Sequence, residues 1–249
     1  MPRSRQILYV VGDSALVEEF GEVCHAKGFG VLYRINSENH QKRFPAYFKK
    51  RSTPPRNVTL VVELTNSDTD LKKKNLHLIE KSIPRTTSIL SSSVTVTAAE
   101  QSAWLKHPER LVGISAFPTL LSQKLIEMAP TIHTRSETIK QAGDFFFKLG
   151  KEVTVVQDRV GMVMPRILCM LINEAAFAVM ENIASPQDID TAMKLGTNYS
   201  FGPIEWADKI GVKNICAVIE ALQRDLREER YRTAPLLRMM AAGKQWWNT

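Results

Sequence analysis

Cysteine is scarce in this sequence, and long hydrophobic runs are absent from it. The three cysteines, Cys24, Cys169 and Cys216, are far apart and odd in number, which argues against a disulfide framework and a cysteine metal site. They are typical of buried thiols in a reduced, cytoplasmic protein. No apolar run approaches the roughly 18 residues of a membrane helix, and the short run behind the basic N-terminus ends in Gly12 and Asp13, unlike a signal peptide. We therefore expect a cytoplasmic protein without a membrane partner or a bound metal.

Negative charge is the scarcer sign: 33 Lys and Arg stand against 26 Asp and Glu, which gives a formal net charge of +7. Residues 41–56, QKRFPAYFKKRSTPPR, are rich in Lys and Arg and contain no acidic residue; we call them the basic segment. Our first interpretation is a solvated loop. The alternative is an electrostatic patch for a polyanion, either nucleic acid or the phosphates of a coenzyme. No zinc-finger, RNP-type or basic-zipper pattern accompanies the segment, which argues against a nucleic-acid partner.

The pattern of the chain changes near residue 158. Before it, short apolar runs alternate with polar segments of helical pattern, as in a parallel α/β sheet that is covered on both faces. From residue 160 to residue 242 almost every segment has a helical pattern. The sequence therefore predicts an α/β domain over residues 1–157 and an all-α domain over residues 158–249. The apolar runs that we predict as strands are ILYVV, GVLYRI, NVTLVVEL, TSILSSSVTV, RLVGISAF and KEVTVV.

One helix of the second domain has clear start and stop signals in the stretch SPQDIDTAMKLG. Ser185 is predicted as its N-cap, Pro186 as its first residue and Asp188 as an acidic residue of its first turn. Gly196 is predicted to end the helix at the C′ position, where a left-handed conformation is common.

The start of the first domain lacks two of the three glycines of the dinucleotide fingerprint G-x-G-x-x-G. Gly12 ends the first apolar run, a helical pattern follows, and Gly28 leads into the second run, which is the strand–turn–helix–strand outline of a dinucleotide site. Ser14 replaces the glycine that lets the backbone approach the pyrophosphate, and Val17 replaces the glycine that permits close helix–strand packing. Gly12 and Ser14 are candidates for weak phosphate binding at a helix N-terminus; a plain strand–helix turn is the favoured interpretation.

The helical part contains the most specific sequence motifs. Residues 173–211, NEAAFAVMENIASPQDIDTAMKLGTNYSFGPIEWADKIG, resemble the C-terminal domain of 3-hydroxyacyl-CoA dehydrogenases, including bacterial 3-hydroxybutyryl-CoA dehydrogenases. The resemblance extends to LGKEVTVVQDRVGMV, HPERLVGI, QKLIEM and VVELTNSDTDLKKKN, and so covers nearly the whole chain. It implies a Rossmann-like parallel-sheet domain of the NAD-binding type, joined to a helical domain through which such enzymes usually dimerise.

The resemblance also implies a catalytic histidine and asparagine, which this sequence lacks. Oxidation of a 3-hydroxyacyl thioester requires hydride transfer to NAD and a base for the hydroxyl proton, a role that suits histidine. The family segment G-x-H-F-F-N-P aligns with GISAFPT, so Ser115 occupies the histidine position and Pro118 the asparagine position. Serine is no base near neutral pH, and the proline side chain offers no hydrogen bond. The glutamate of the family is retained as Glu127.

Three further segments of the family pattern are altered. Pro165 stands where the segment P-G-F-x-x-N-R supplies a substrate-contacting asparagine. In the segment that corresponds to S-N-T-S-S, Ser92 is the best match to the catalytic serine, and Ser93 replaces the asparagine. The residues at the end of the second strand, 34–36, include no carboxylate for the adenosine ribose. The basic segment replaces a long helical excursion of the family.

Two functions remain open at this point. The first is a degenerate 3-hydroxyacyl-CoA dehydrogenase, a pseudoenzyme with Ser92 and Glu127 as catalytic remnants and with no cofactor or weakly bound NAD. We expect it to form a homodimer through the helical domain, and to bind acyl-CoA or act as a structural or regulatory partner. The second is an active NAD-dependent 3-hydroxyacyl-CoA dehydrogenase of fatty-acid metabolism with a displaced acid–base group. A nucleic-acid-binding module rests on the basic segment alone.

Overall fold

A computed structural model describes residues 6–36 and 44–243, and the chain divides after Met162 into two compact units. In the described ranges, the first unit contains eight strands and four α-helices, and the second unit contains five α-helices. The strands are β1 (Ile7–Gly12), β2 (Gly30–Ile35), β3 (Lys49–Lys50), β4 (Leu60–Leu64), β5 (Ser88–Ser92), β6 (Leu111–Ile114), β7 (Leu125–Ala129) and β8 (Glu152–Val155). The helices of the first unit are α1 (Ser14–Ala26), α2 (Thr69–Ser82), α3 (Ala98–Ala103) and α4 (Ser136–Lys148).

The strands form a single sheet in the order β3-β2-β1-β4-β5-β6-β7-β8. All neighbouring strands are parallel except β6 and β7, which are antiparallel. The strand order reverses at β1, which pairs with both β2 and β4; in open α/β sheets this is the place at which ligands bind. The predicted fold, a Rossmann-like parallel-sheet domain followed by an all-α domain, is confirmed.

Each face of the sheet has its own hydrophobic core, because successive side chains of a strand point to opposite faces. On one face, Leu8 and Val10 of β1 belong to a cluster with Val17 and Phe20 of α1. On the other face, Tyr9 of β1 belongs to a cluster that includes residues of α2 and α3. All five residues of β4 are buried, as expected for a central parallel strand.

The described part of the basic segment is attached to the sheet. Lys49 and Lys50 form β3, a two-residue strand parallel to β2. Phe48 is buried, and the ring of Phe44 stacks on the ring of Tyr33 with 4.4 Å between their centroids. The described part is therefore attached to the sheet edge by a two-residue strand and aromatic side chains, while its described Lys and Arg residues are exposed, as in a solvated segment. Residues 41–43 lie outside the described residues.

The second unit is all helical. The N-cap predicted for α6 is confirmed, because the backbone N–H of Asp188 donates to Ser185 Oγ at 3.1 Å. The predicted end is wrong: Gly196 lies inside α6, and Asn198 takes the left-handed position with φ of 57°. Asparagine tolerates that conformation better than most residues do. The helices are α5 (Met164–Met180), α6 (Pro186–Thr197), α7 (Pro203–Ile210), α8 (Val212–Leu226) and α9 (Pro235–Ala241).

Among the residues that the structure describes, no helix has both the length and the apolar character that a membrane crossing requires.

Candidate active site

Gly12 is required by close packing in the β1–α1 turn. Its φ is +150°, and a Cβ atom at this position would collide with the backbone of Leu64 at the end of β4. The backbone N–H of Asp13 donates to the carbonyl oxygen of Leu64 at 3.2 Å, which joins the turn to that strand end. The conformation of Gly12 is thus explained by contacts within the fold, without reference to a bound phosphate.

The carboxylate of Asp13 occupies the crevice beside this turn. It accepts hydrogen bonds from the backbone N–H groups of Asn66 and Ser67, at 2.8 and 3.1 Å. Ser67 Oγ lies 2.7 Å from Asp13 Oδ1, and the side-chain amide of Asn36 donates to the same oxygen at 3.2 Å. The side chain of Asp13 therefore makes no capping bond to α1. A pyrophosphate bound at this turn would approach a negative charge.

The two other fingerprint positions are part of α1. Ser14 is its first residue and is half-buried, whereas Val17 is fully buried in the core beneath the helix. Val17 therefore fills space between α1 and the sheet, where the fingerprint needs a glycine for close helix–strand packing.

A buried polar network lies behind the turn. Glu63 of β4 and Lys72 of α2 are 0% and 1% exposed, and they form an ion pair. Lys72 Nζ also donates to Ser91 Oγ at 3.3 Å, while Asn75 donates its side-chain amide to Glu63 Oε1 at 3.3 Å and to Thr65 Oγ1 at 3.1 Å. Buried charges need such partners because the protein interior solvates them poorly.

The end of β2 joins this network. Asn36 donates its side-chain amide to Thr65 Oγ1 at 2.8 Å, and Arg34 donates to the side-chain oxygen of Asn75. In dinucleotide-binding domains an acidic residue near this place accepts the ribose hydroxyls. Here the described residues at the strand end provide a guanidinium and an amide instead.

Ser115, the residue at the expected histidine position, is engaged by the backbone of β7. It lies just beyond β6 and is 5% exposed. Its N–H donates to the carbonyl oxygen of Glu127, and the N–H of Glu127 donates back to Ser115 Oγ, both at 3.0 Å. The hydroxyl thus completes the β6–β7 ladder, and it has no basic character near neutral pH.

The loop that contains Pro118 is held by a residue that sequence analysis missed. Pro118 is buried, and Thr119 next to it has a φ of +67°, which is rare for a β-branched residue. The carboxylate of Glu19, from α1, accepts the N–H groups of Thr119 and Ser122, each at 2.8 Å. Glu19 is about 100 positions away in the sequence, so no local signal points to this contact.

Ser92 and Glu127 lie at the same edge of the sheet as Ser115. Ser92 is 0% exposed, and its Oγ lies 2.6 Å from Asn66 Oδ1 and 3.1 Å from the carbonyl oxygen of Ala116. Glu127 is 3% exposed. The structure therefore brings three of the positions carried over from the family together. Pro165 belongs to the helical unit, where it is buried in the first turn of α5.

The specific motifs of the helical unit have a structural explanation. Asp190 of α6 is 7% exposed, and its carboxylate accepts the N–H groups of Ile204 and Glu205 at 2.8 and 3.0 Å, so it caps α7. Burial raises the pKa of Asp190, and those two hydrogen bonds oppose the shift. Gly202 lies against the same carboxylate, where a Cβ atom would collide with it. The SPxDID and GP motifs thus specify a helix junction.

Comparison with protein families covers nearly all of the chain. The model of the 3-hydroxyacyl-CoA dehydrogenase NAD binding domain matches residues 22–159, and the model of the C-terminal domain of the same enzymes matches residues 161–246. The chain belongs to the 3-hydroxyacyl-CoA dehydrogenase family. The match of this family member begins after the β1–α1 turn, so the altered fingerprint lies before it.

Curated relatives of this family member include dehydrogenases of bacteria. It is 31% identical over 178 residues to a 3-hydroxybutyryl-CoA dehydrogenase of Bradyrhizobium diazoefficiens, a match that covers 72% of this chain and 61% of the relative. It is also 31% identical over 179 residues to a probable 3-hydroxybutyryl-CoA dehydrogenase of Bacillus subtilis, covering 72% of this chain and 62% of the relative. The matched part thus spans less than two thirds of either relative.

Solved structures of related proteins share the fold over almost the full chain. The crystal structure of (S)-3-hydroxybutyryl-CoA dehydrogenase PaaH1 from Ralstonia eutropha has a TM-score of 0.78 and 26% identity, covering 96% of this chain and 94% of that one. The crystal structure of FadB2 from M. tuberculosis has a TM-score of 0.83 at 21% identity, with coverage of 96% and 94%. The second likeness concerns the fold alone.

Proposed function

We propose that this family member has lost the usual hydride transfer of 3-hydroxyacyl-CoA dehydrogenases and is a pseudoenzyme. The observation that carries the proposal is Ser115, whose hydroxyl at the base position accepts the backbone N–H of Glu127. A general base needs a pKa near the working pH and access to the substrate proton. Ser115 offers neither, and Pro118 replaces the hydrogen-bonding asparagine. Ser92 and Glu127 are then catalytic remnants.

The cofactor site supports the same proposal. Gly12 and Ser14 are the two fingerprint positions that we assign to weak phosphate contact. The carboxylate of Asp13 already takes the N–H groups of Asn66 and Ser67 beside them. We infer that the protein binds no NAD or binds it weakly.

What remains for the protein to do is binding. We propose that it forms a homodimer through the helical unit, and that it either retains acyl-CoA binding or acts as a structural or regulatory partner. The buried, free thiols of Cys24, Cys169 and Cys216 fit a reduced compartment, and we place the protein in the cytoplasm.

The second candidate is an active NAD-dependent 3-hydroxyacyl-CoA dehydrogenase of fatty-acid metabolism with a displaced acid–base group. The retention of Glu127 beside Ser115 favours it, because a buried carboxylate is a possible base. The first candidate predicts no turnover of a 3-hydroxyacyl-CoA, and the second predicts turnover.

The first prediction concerns turnover of (S)-3-hydroxybutyryl-CoA with NAD. General-base catalysis contributes about 100- to 10,000-fold in rate, so the unmodified protein is expected to show no turnover above background in an NADH absorbance assay. The informative variant combines Ser115→His, Pro118→Asn and Pro165→Asn. Ser136→His, at the exposed start of α4, controls for an added histidine.

A turnover of about 1–1,000 per second by the unmodified protein, the ordinary range of enzymes, would overturn the proposal and establish the second candidate. A gain by the triple variant alone would identify the acid–base groups as the missing part. If no variant is active, the cofactor site is the deeper defect.

The second prediction concerns the cofactor itself. We expect a dissociation constant for NAD(H) above 1 mM, which corresponds to a binding free energy weaker than about 4 kcal/mol. Isothermal titration calorimetry measures it directly, and thermal shift against acetoacetyl-CoA tests acyl-CoA binding in parallel. A micromolar constant for NADH would contradict the weak-cofactor proposal.

A further inference from the structure

A cavity of about 480 Å³ lies beside the carboxyl end of β2, and we call it the basic cavity. Four cationic side chains line it: Arg34 of β2, Lys50 of β3, Arg51 next to it, and Lys74 of α2. Its volume is in the range of sites that hold small ligands. Two elements of the sheet and one helix therefore converge on a space with a concentrated positive charge.

The positive charge of the basic cavity is not neutralised by the described protein. Across residues 6–36 and 44–243, no Asp or Glu lines the cavity, and no ion pair involves Lys50, Arg51 or Lys74. Arg34 donates to the side-chain oxygen of Asn75, a neutral group. A site with unmatched cations attracts an anion.

The guanidinium of Arg34 is held in place by its hydrogen bond to Asn75. Asn75, which accepts from it, is 0% exposed and donates its own amide to Glu63 and Thr65. The side-chain oxygen of Asn75 is thereby turned toward Arg34. A guanidinium fixed in this way has donors left for a phosphate, which it binds with two parallel hydrogen bonds.

The rest of the cavity wall combines the polar residues Asn36, Ser52 and Asn75 with an apolar surface. Ile35, Leu71 and Leu78 contribute to the lining, and all three are half-buried. An apolar surface next to a cationic cluster matches a molecule with a flat ring and a phosphate. The position of the cavity indicates the class of ligand more closely. In Rossmann-like folds the end of the second strand faces the adenosine ribose, and an arginine there accommodates a ribose phosphate.

We propose that the basic cavity binds an adenosine nucleotide whose ribose carries a phosphate monoester, with Arg34 and Lys74 contacting that phosphate. Two sources share this chemistry: the 2′-phosphate of NADP(H) and the 3′-phosphate of coenzyme A. The proposal concerns a ligand and not a reaction, so it holds for an inactive protein, and its test requires no turnover.

The test measures binding of three adenosine nucleotides by isothermal titration calorimetry. The probes are adenosine 2′,5′-bisphosphate, adenosine 3′,5′-bisphosphate and, without a ribose phosphate, adenosine 5′-monophosphate. A charge-assisted hydrogen bond changes affinity on the order of tenfold. We therefore expect at least one bisphosphate to bind about tenfold or more tightly than the monophosphate, and the tighter one identifies the source. Inorganic phosphate is the fourth probe.

Two variants and one control locate the site. Arg34→Met and Lys74→Met each should weaken binding of the preferred bisphosphate about tenfold and leave the weak binding of adenosine 5′-monophosphate within about twofold. Lys81→Met removes the same charge from an exposed position of α2 outside the cavity and should have an effect below about twofold. Lys74 is exposed, so its replacement keeps the fold even if that of Arg34 disturbs Asn75.

Four results would overturn the proposal. They are no binding of either bisphosphate, equal binding of the bisphosphates and the monophosphate, inorganic phosphate binding as tightly as the bisphosphates, and an effect of Lys81→Met equal to that of Lys74→Met. The third would show an anion site without nucleotide recognition, and the fourth would show a general effect of net charge.

Discussion

Glu63 and Lys72 form a buried ion pair near the carboxyl end of β4. Neither side chain reaches water, and the partners of both are polar groups of β5, α2 and the loop after β4. Transfer of two charges into the interior has a large desolvation cost, which the mutual attraction offsets only while both partners are present. Loss of one partner is therefore expected to destabilise the protein more than loss of both.

The third prediction tests this property with unfolding in urea. Lys72→Met leaves the carboxylate of Glu63 buried without its partner, so the free energy of unfolding should fall by about 3–5 kcal/mol. The double variant Glu63→Gln with Lys72→Met removes both charges and should recover a large part of that loss. Lys81→Met, on the exposed side of the same helix, is the control and should change stability by less than about 0.5 kcal/mol.

A double variant that is less stable than Lys72→Met would contradict the account of the ion pair. So would a loss below about 1 kcal/mol for the single variant.

Contacts distant in sequence are where residue-level prediction fails. The sequence alone aligns Ser115 with the family histidine. The hydrogen bond from the N–H of Glu127 to Ser115 Oγ depends on the pairing of β6 with β7, which the sequence does not specify. The contacts of Asp13 with Asn66 and Ser67 span 53 and 54 positions. Residue types alone do not specify such partners, because they are set by the strand order.

At the scale of single elements, the start of α6 is predicted from local residues, its end at Gly196 is predicted wrongly, and caps supplied by distant residues are missed. The N-cap of α6 is Ser185, whose partner is three positions away, and the sequence predicts it. The cap of α7 is the carboxylate of Asp190, which lies 14 and 15 positions from the N–H groups it accepts. Strand β3 is also unpredicted, because two lysines have no apolar pattern and are placed by pairing with β2.

The edge strand β3 depends on one side chain of β1. Tyr9 is 1% exposed, and its hydroxyl donates to the carbonyl oxygens of Arg51 and Ser52, at 3.3 and 3.2 Å. Burial raises the pKa of Tyr9 to about 12, and the nearby charge of Arg34 opposes the shift. The neutral phenol therefore holds residues 51 and 52 of the basic segment next to the sheet.

The fourth prediction is a pH dependence of that attachment. The pKa of Tyr9 in the folded state lies above the unfolded value near 10, so the stabilisation is complete below pH 10 and is lost as pH rises through about 12. Tyr9→Phe should lower the free energy of unfolding by about 1 kcal/mol at pH 7. The difference from the unmodified protein should shrink between pH 10 and pH 12 in urea titrations.

Tyr33→Phe, at a half-buried tyrosine of β2, is the matched control for loss of a hydroxyl. A difference for Tyr9→Phe that stays constant up to pH 12 would refute the raised pKa.

At the scale of the whole molecule, the question is whether the helical unit forms a homodimer interface. The sequence of α7 and α8 contains more apolar residues than one face of an isolated helix needs, which favours a buried surface there. Ile215, Ile219 and Leu222 of α8 are buried, and α8 packs against α5, α7 and α9 of the same unit. Exposed apolar side chains lie elsewhere in the same unit, at Ile183 before α6 and at Leu195 in α6, which are 70% and 83% exposed.

The fifth prediction is a homodimer at tens of micromolar, measured by light scattering with size-exclusion chromatography. Closed two-fold assemblies are the commonest among soluble oligomers. Combined Ile183→Glu and Leu195→Glu should shift the equilibrium toward monomer, because charges in an apolar interface are poorly solvated. Ile132→Glu, at a 96% exposed position of the first unit, is the control. A monomeric unmodified protein, or a dimer disrupted equally by the control, would refute a helical-unit interface.

The carboxylate of Asp13 makes the β1–α1 turn self-sufficient. Two backbone N–H groups that face the crevice have a covalently attached anion as their acceptor, so the turn folds to completion without any solute from the cell. Because these donors already have an acceptor, we expect added pyrophosphate to stabilise the protein very little. The carboxylate also sets the order of the changes that a phosphate site would require. A glycine at position 14 leaves the attached anion in place, and removal of that anion leaves the N–H of Asn66 and the exposed N–H of Ser67 without this acceptor.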